Sequence, residues 1–266
     1  MRMPVWIYSL SLVQLLALSV VVATAEENVL DRFTAHTFVT ATDYKLPYRQ
    51  LAPAKIEQGK KYPLVLFLHG AGERGNDNKI QLVHGMKDFA SDAIMAEYPA
   101  FVIAPQCPNN EQWVDVPWSA DSHEMPAKPS KSMAATIELI ESLKKDLPID
   151  ADRVYVTGLS MGGFGTWDLI CRHPDWFAAA LPICGGGDAR EETIKVIKDI
   201  PIWAVHGDKD TAVKPQRSRD MIAAVKKAGG EPKYTERENT GHDSWTATYK
   251  DPETYRWLFT QKRVSN

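Results

Sequence analysis

The pentapeptide Gly158-Leu159-Ser160-Met161-Gly162 directly follows an apolar run, Arg153-Val154-Tyr155-Val156-Thr157. The run has the composition of a buried β-strand, and small residues on both sides of a serine let the chain turn tightly into a helix. Gly-x-Ser-x-Gly also occurs by chance in glycine-rich loops. Its position directly after a predicted strand is what favours a functional serine here. The stretch predicts a strand, a strained turn and a helix, with the Ser160 hydroxyl at the turn as a candidate nucleophile.

Length and composition place the chain among ordinary globular proteins. It has 266 residues, of which 44% are hydrophobic and 24% are charged, enough to bury one sizeable core without disulfide or metal support. The formal net charge is −3, and the sequence contains no basic stripe. We therefore expect no binding to nucleic acid or to an anionic membrane surface through charge.

The first 25 residues have the pattern of a secretory signal peptide. Arg2 supplies a positive start, residues 12–22 are mostly apolar, and Ala23-Thr24-Ala25 offers the small residues that signal peptidase accepts. A membrane anchor is the alternative, but the apolar run is short for a span of roughly 20 residues and lacks a basic stop signal. We expect cleavage after Ala25, export to the periplasm or extracellular space without stable membrane insertion, and one catalytic domain over residues 26–266.

The chain contains three cysteines, Cys107, Cys171 and Cys184. An odd number in an exported protein allows at most one intramolecular disulfide, and each of the three pairings is open. Cys171 lies in the helix predicted after Ser160, where a small buried hydrophobic side chain is the simplest interpretation. No cysteine and histidine spacing matches a zinc site, and no His-Glu-x-x-His sequence occurs, so we expect no metal.

Beyond the signal segment, short apolar runs alternate with helix-like stretches, the pattern of a mostly parallel sheet flanked by helices on both faces, which is an α/β fold. The predicted strands are Tyr62–His69, Ala100–Pro105, Arg153–Thr157, Ala178–Ile183, Ile200–His206 and Lys233–Arg237. A helix with one buried face is predicted between the second and third strands by apolar residues at spacings of three and four, namely Met133, Ile137, Ile140, Leu143 and Leu147. The segment from Phe33 to Leu51 predicts one or two antiparallel strands leading into the sheet.

A long irregular segment runs from Cys107 to Lys131 and contains four prolines and two tryptophans, Trp113 and Trp118. Loops of this length within compact domains are usually functional or disordered, and proline stiffening favours an ordered wall. One interpretation makes the two tryptophans part of a substrate-binding surface. The other makes them the hydrophobic contacts that pack the loop onto the domain.

A serine hydroxyl needs a general base to take its proton, and the base needs an acid to hold its tautomer. In sheets of this type the chain order is serine, then Asp or Glu, then histidine. Of the seven histidines, only His242 lies far enough downstream of Ser160 to leave room for an acid after a further strand. It sits in a turn-like loop, Asn239-Thr240-Gly241-His242-Asp243, where a base can reach over the sheet edge.

Two carboxylates compete for the role of the acid. The run Ile202-Trp203-Ala204-Val205-His206-Gly207 ends in Asp208-Lys209-Asp210, which places both at the carboxyl end of one strand. We assign the acid to Asp210 from its place in the loop. Asp208 is the alternative acid. If Asp210 is the acid, we interpret Asp208 as a carboxylate that caps the turn.

An oxyanion hole requires backbone N–H groups aimed at the developing negative charge. The residue after the nucleophile, Met161, is expected to supply one. The loop after the first parallel strand, His69-Gly70-Ala71-Gly72, is expected to supply the other, from Ala71.

With these positions, the chain resembles the α/β-hydrolases, and within them the exported carboxylesterase or "predicted peptidase" group related to phospholipase/carboxylesterases and feruloyl esterases. The resemblance rests on five segments spread over residues 68–245, which are Leu68–Gly75, Ala104–Pro108, Gly158–Gly163, His206–Asp210 and Gly241–Trp245. It places Ser160, Asp210 and His242 at the triad positions. It also places Ala71 and Met161 at the oxyanion positions.

The resemblance implies a serine carboxylic-ester hydrolase that forms an acyl-enzyme on Ser160 and needs no cofactor. Its expected substrates are small-molecule or polysaccharide-linked esters, among them acyl and feruloyl esters. Aromatic side chains near the site, Trp113, Trp118, Trp167 and Trp245, would suit a planar acyl group, and the alternative for each is a place in the core. Trp113, Trp118 and Trp245 are the candidates for substrate binding. A serine peptidase of the same fold is the alternative, although family members of that kind usually add a propeller or gating domain.

One motif favours a different class of protein. Gly70-Ala71-Gly72-Glu73-Arg74-Gly75 satisfies G-x-G-x-x-G after a predicted strand, the pattern of a dinucleotide site. However, the next strand ends in Ala104-Pro105-Gln106 where an acidic residue should bind the ribose, and Gly75 is not followed by a clear helix. A binding module without catalysis is the third class, but such proteins usually lack the nucleophile or the base.

Overall fold

The structure is a computed structural model that describes Met3 and residues 28–263. The predicted signal segment, apart from Met3, therefore lies outside the described residues. Within residues 28–263 the chain forms an eight-stranded sheet. Its strands are β1 (Thr34–Val39), β2 (Lys45–Leu51), β3 (Tyr62–Leu68), β4 (Phe101–Pro105), β5 (Ile149–Leu159), β6 (Ala179–Ile183), β7 (Trp203–Gly207) and β8 (Lys233–Arg237).

The strand order is β1-β2-β4-β3-β5-β6-β7-β8. Strands β3 to β8 pair in parallel, whereas β1 and β2 form an antiparallel hairpin whose second strand pairs with β4. The α/β fold expected from the sequence is confirmed, including two antiparallel strands between Phe33 and Leu51. The predicted strand at Arg153–Thr157 is longer in the structure, and the one predicted from Ile200 begins at Trp203.

Helices cover both faces of the sheet. They are α1 (Met86–Phe89), α2 (Asp92–Glu97), α3 (Lys131–Asp146), α4 (Met161–Arg172), α5 (Glu191–Ile194), α6 (Gln216–Lys227), α7 (Trp245–Lys250) and α8 (Pro252–Thr260). Successive side chains of a strand point to opposite faces, so Leu66 belongs to the core layer shared with α3, α4 and α6, whereas Phe67 belongs to the layer shared with α1, α7 and α8. Every residue of β3 is buried, as expected for a central strand between two helical layers.

Helix α3 is the helix predicted by the apolar spacing between Met133 and Leu147. The Ser130 side chain caps its start by accepting a hydrogen bond of 3.1 Å from the Met133 N–H. The helix ends before Pro148, because proline disfavours helical backbone in the residue that precedes it. Of the predicted buried face, Ile137 and Leu147 are only partly buried, and Leu147 lies just beyond the end of the helix.

The carboxyl ends of the parallel strands meet at one edge of the sheet, where an open α/β sheet binds its ligands. The loops after β3, β5, β7 and β8 carry the oxyanion candidates and the three triad candidates. Within residues 28–263, no helix has both the length and the apolar character needed to cross a lipid bilayer.

Candidate active site

Ser160 occupies the turn between β5 and α4 in a backbone conformation that side chains rarely adopt, with φ +53° and ψ −117°. Its N–H donates to the carbonyl of Ile183 over 2.9 Å, which ties the turn to strand β6. A β-carbon at Gly158 would collide with the Gly162 carbonyl, and one at Gly162 would collide with the Leu68 carbonyl at the end of β3. The glycines therefore allow the close approach of strand and helix that presents the Ser160 hydroxyl.

His242 and Asp210 continue from Ser160 in an unbroken chain of hydrogen bonds. The Ser160 hydroxyl lies 2.9 Å from His242 Nε2, and His242 Nδ1 lies 2.7 Å from Asp210 Oδ2. Burial alone would raise the pKa of Asp210, but hydrogen bonds from His206, His242 and a backbone N–H outweigh it and hold the pKa well below its ordinary value. An ionised carboxylate only accepts, so His242 Nδ1–H donates to it and Nε2 is free to accept the serine proton.

Asp208 has a different set of contacts. Its Oδ1 accepts the Thr240 N–H over 3.0 Å, and the Lys209 N–H donates to the Thr240 carbonyl over 2.9 Å. These bonds hold the loop that carries His242, two residues beyond Thr240. Of the two carboxylates expected from the sequence, Asp210 reaches the imidazole and Asp208 shapes its loop.

The two oxyanion candidates both begin helical turns. Met161 is the first residue of α4, and Ala71 opens a short 3₁₀ turn, Ala71–Glu73, in the loop after β3. The N–H groups of the first turn have no partner inside a helix, so they point outward and attract negative charge. The 3₁₀ turn also differs from the regular helix that a dinucleotide-binding motif requires after its glycines.

His69 holds the loop before Ala71 in place. Its Nε2 accepts the Cys107 N–H over 2.9 Å, so the proton lies on Nδ1, which donates to the Gly70 carbonyl over 2.6 Å. Burial lowers the pKa of His69 to about 4, so the ring is neutral when it makes these bonds. Arg74 adds a further tie, because its Nε donates to the Ala71 carbonyl over 2.9 Å.

The three tryptophans predicted to bind substrate differ in their surroundings. The prediction for Trp113 is wrong, because its side chain is completely buried and its Nε1–H donates to the His69 carbonyl over 2.9 Å. Trp118 is partly exposed and lies 5.9 Å from the Arg74 guanidinium. The ring of Trp245 stands edge-on to His242 with the centroids 5.2 Å apart, so Trp245 borders the catalytic candidates.

A second pair of titratable groups borders the site and was missed from the sequence. His84 Nε2 lies 3.4 Å from Glu73 Oε1, and its ring packs 5.3 Å from Trp245. The contact with Glu73 raises the pKa of His84 above its ordinary value. The pair links the oxyanion loop to the loop of His242 through Trp245.

All three cysteines are buried free thiols. Cys184 lies close to the triad candidates, with ligand atoms of Cys184, Asp210 and His242 within 4.8 Å of one another. However, Asp210 and His242 already hydrogen-bond each other, and burial raises the pKa of the Cys184 thiol far above its usual value. These residues therefore fit a proton-transfer site better than a ready set of metal ligands.

Comparisons with known proteins show the family to which the chain belongs. The sequence pattern that defines the phospholipase/carboxylesterase family matches residues 53–255. A solved structure described as a thermostable esterase is 41% identical, with a TM-score of 0.82, over 88% of this chain and 64% of that one. A ferulic acid esterase with 19% identity shares the fold, with a TM-score of 0.65 over 86% of this chain and 97% of that one.

A curated relative, the bifunctional acetylxylan esterase/xylanase XynS20E of Neocallimastix patriciarum, is 30% identical over 116 residues, which are 41% of this chain and 17% of that protein. The chain spans less than half the length of the curated relatives that it matches. The family match itself extends over most of the chain, through every loop that carries a triad candidate. The chain therefore belongs to the phospholipase/carboxylesterase family of the α/β-hydrolase superfamily.

Proposed function

We propose that this protein is a serine carboxylic-ester hydrolase with Ser160 as nucleophile, His242 as general base and Asp210 as the acid that orients the base. The observation that carries the proposal is the chain of hydrogen bonds from the Ser160 hydroxyl through His242 to Asp210. The site is reachable, because Ser160 is partly exposed and the His242 side chain is 28% exposed.

In the proposed reaction, Ser160 Oγ attacks the ester carbonyl and His242 Nε2 takes the hydroxyl proton. The N–H groups of Ala71 and Met161 receive the negative charge that forms on the carbonyl oxygen. The bond to the alcohol then breaks, and His242 gives its proton to the departing alcohol. Water repeats the sequence on the acyl-enzyme, releasing the acid and restoring Ser160.

We propose acyl or hydroxycinnamoyl esters of polysaccharides as the substrate class. Support comes from the acetylxylan esterase/xylanase relative and from the fold shared with a ferulic acid esterase. Trp245 and Trp118 are partly exposed aromatic surfaces that suit a planar acyl group. Action outside the cytoplasm is part of this proposal, supported by the sequence of the first 25 residues and by 24% identity to a secreted protein of Arthroderma benhamiae.

The experiment combines a substrate panel with a fluorophosphonate probe that labels activated serines. We expect Ser160→Ala to abolish labelling and to lower kcat on p-nitrophenyl acetate by about 10⁴- to 10⁶-fold. Ser119→Ala, at an exposed serine of the 107–131 loop, is the matched control and should behave like the wild type.

The panel contains p-nitrophenyl acetate, methyl ferulate, acetylated xylan and the anilide matched to the activated ester. We expect kcat/KM for the activated ester to exceed that for the anilide by at least about 10², after correction for the uncatalysed rates, because an amine is a poor leaving group. Efficient peptide cleavage without ester hydrolysis would replace this proposal with a serine peptidase. Normal labelling of Ser160→Ala would end the serine-hydrolase assignment.

A further inference from the structure

The carboxylate of Asp210 has a second imidazole partner that the reaction described above does not use. His206 Nε2 lies 3.1 Å from Asp210 Oδ2, the same oxygen that accepts from His242 Nδ1 over 2.7 Å. The other oxygen, Oδ1, accepts the backbone N–H groups of Ala212 and Val213 over 2.8 and 3.0 Å. His206 and the Asp210 side chain are both completely buried.

The hydrogen bonds of His206 locate one of its protons. Nε2 also lies 3.0 Å from the carbonyl oxygen of Val213, and a carbonyl only accepts. Nε2 therefore carries a hydrogen and points it between two oxygens. Nδ1 lies 2.7 Å from the Ser218 hydroxyl, which in turn lies 3.1 Å from the Gly185 carbonyl.

Ser218 has a single hydroxyl hydrogen for these two neighbours. If it donates to His206 Nδ1, the ring is neutral; if it donates to Gly185, Nδ1 must itself be protonated and the ring is a cation. In both states Nε2–H faces Asp210. The contact with the carboxylate therefore does not depend on which state is populated.

We infer that His206 is a positioning residue of the triad, which orients Asp210 and withdraws part of the negative charge that Asp210 presents to His242; this inference rests on the proposed function. With His206 in place, both carboxylate oxygens have two donors, and rotation of the carboxylate would break bonds on both sides. As an N–H dipole or as a cation, His206 also disfavours a second positive charge on His242.

Other titratable groups surround this cluster. Glu236 lies opposite His206 in the register of β8 with β7, and Arg219 of α6 neutralises it at 2.6 Å. The Cys184 thiol, after β6, is held neutral because burial raises its pKa. Asp243 is next to His242 in the chain, and its negative charge contributes to raising the pKa of His84. The pKa of Glu236 is lowered chiefly by its hydrogen bond with Arg219, and the His206 variants retain that bond.

The test compares two substitutions that differ in the donor. His206→Leu removes the N–H, whereas His206→Gln keeps an amide N–H that can reach Asp210. We expect His206→Leu to lower kcat on p-nitrophenyl acetate by about 10- to 100-fold with KM within about twofold, the effect of losing a hydrogen bond to a buried charge. We expect the acid limb of its kcat/KM profile to move to higher pH, because His242 accepts a proton more easily.

His206→Gln should retain kcat within about fivefold and keep the acid limb near that of the wild type, since the donor is preserved. Ser218→Ala is the control, because it removes the Nδ1 contact and leaves the Nε2 contact in place. If His206→Leu does not fold, NMR of ¹⁵N-histidine-labelled wild type replaces it. The expected signal is a His206 imidazole protonated at Nε2, and a His206 protonated only at Nδ1 would overturn the inference.

Two results separate this inference from the proposed function. Inactivity of the wild type against every ester would refute the proposed function. An active wild type, together with equal losses of kcat in His206→Leu and His206→Gln and an unmoved acid limb, would refute only the role of His206, because a purely structural residue gives that pattern.

Discussion

Ser160 holds a backbone conformation that costs free energy, of order 1–3 kcal/mol for a residue other than glycine. The surrounding bonds keep it there, since the Ser160 N–H is tied to Ile183 and the glycines at 158 and 162 leave room for the turn. The turn presents the hydroxyl to His242 Nε2 at 2.9 Å. The unfavourable conformation is thus part of how the proposed nucleophile meets its proposed base.

At the same scale, we predict that substitutions of the two neighbouring carboxylates, Asp210 and Asp208, lower kcat by different amounts. Asp210→Asn should lower kcat by about 10⁴-fold, because an amide at this position favours the wrong tautomer of His242. Asp208→Asn should lower it by less than about tenfold, since the amide oxygen can still accept the Thr240 N–H. The measurement is kcat on p-nitrophenyl acetate for both variants, with fluorophosphonate labelling as a check on Ser160.

These two substitutions are matched, because each replaces one carboxylate by its amide within the same loop. Circular dichroism should show both variants folded. A larger loss in Asp208→Asn than in Asp210→Asn would contradict the assignment of the acid and transfer it to Asp208.

Individual residues differ in how well the sequence predicts them. Ser160 can be assigned from a local sequence motif and His242 from the order of residues along the chain. Both kinds of information are present in the sequence itself. The choice of Asp210 over Asp208 depends on the path of the loop after β7, and spacing cannot supply that path. His206 was passed over because chain order excludes it as the base, although its position in β7 places it beside Asp210.

At the scale of elements, the long segment from 107 to 131 is an ordered wall anchored at several points. Trp113 anchors it in the core, and the Ser130 hydroxyl donates to the Trp113 carbonyl over 2.9 Å. Further along, Arg217 of α6 donates to the Ala120 carbonyl over 3.0 Å and hydrogen-bonds His123. Its guanidinium also lies 5.4 Å from the ring of Phe164 in α4.

Arg217→Met tests this anchoring. The substitution leaves the Ala120 carbonyl and the His123 ring without their buried donor, so we expect the free energy of unfolding to fall by about 1–3 kcal/mol. Amide hydrogen exchange should become faster in residues 118–125 than elsewhere. Urea unfolding and exchange measured by mass spectrometry check the two expectations.

The matched control is Arg219→Met on the same helix. Arg219 is exposed and pairs with Glu236 at 2.6 Å, so its loss should cost only about 0–1 kcal/mol and leave exchange at 118–125 unchanged. Equal exchange in the two variants would show that Arg217 does not anchor the loop.

The elements themselves were largely predictable, and the contacts of the long loop were not. Buried parallel strands are continuous apolar runs, and helix α3 has apolar residues at spacings of three and four. Both can therefore be recognised from short stretches of sequence. The role of Trp113 is different, because a tryptophan in a proline-rich loop has the same sequence pattern whether it lines a pocket or fills the core. Only the distant partner, His69, decides between the two.

At the scale of the whole molecule, the parallel sheet brings together residues far apart in the chain. Ser160 and His242 are 82 positions apart, and Asp210 and His242 are 32 apart. They meet because parallel strands end at one edge, so loops that follow different strands share a small volume. The site therefore depends on the integrity of the sheet and of the loops that His69 and His123 hold in place.

Because His69 and His123 hold these loops, we predict that the free energy of unfolding depends on pH. Burial lowers the pKa of His69 to about 4, and burial together with Arg217 lowers that of His123 to about 4. An unfolded imidazole titrates near ~6.5, so between these values the unfolded chain binds protons that the folded chain does not. The stabilisation is complete above about pH 6.5 and is lost as the pH falls toward about 4.

The His69 contribution alone should lower the free energy of unfolding by about 2 kcal/mol between about pH 7.5 and about pH 5. His84 acts in the opposite direction, because its raised pKa adds stability as the pH falls, but it is partly exposed and its effect is small. Urea unfolding at a series of pH values measures the slope. His69→Gln should start from lower stability at neutral pH and lose much of that slope, since its side chain cannot titrate, and a wild-type free energy of unfolding that is flat across this range would contradict the neutral, buried state of His69.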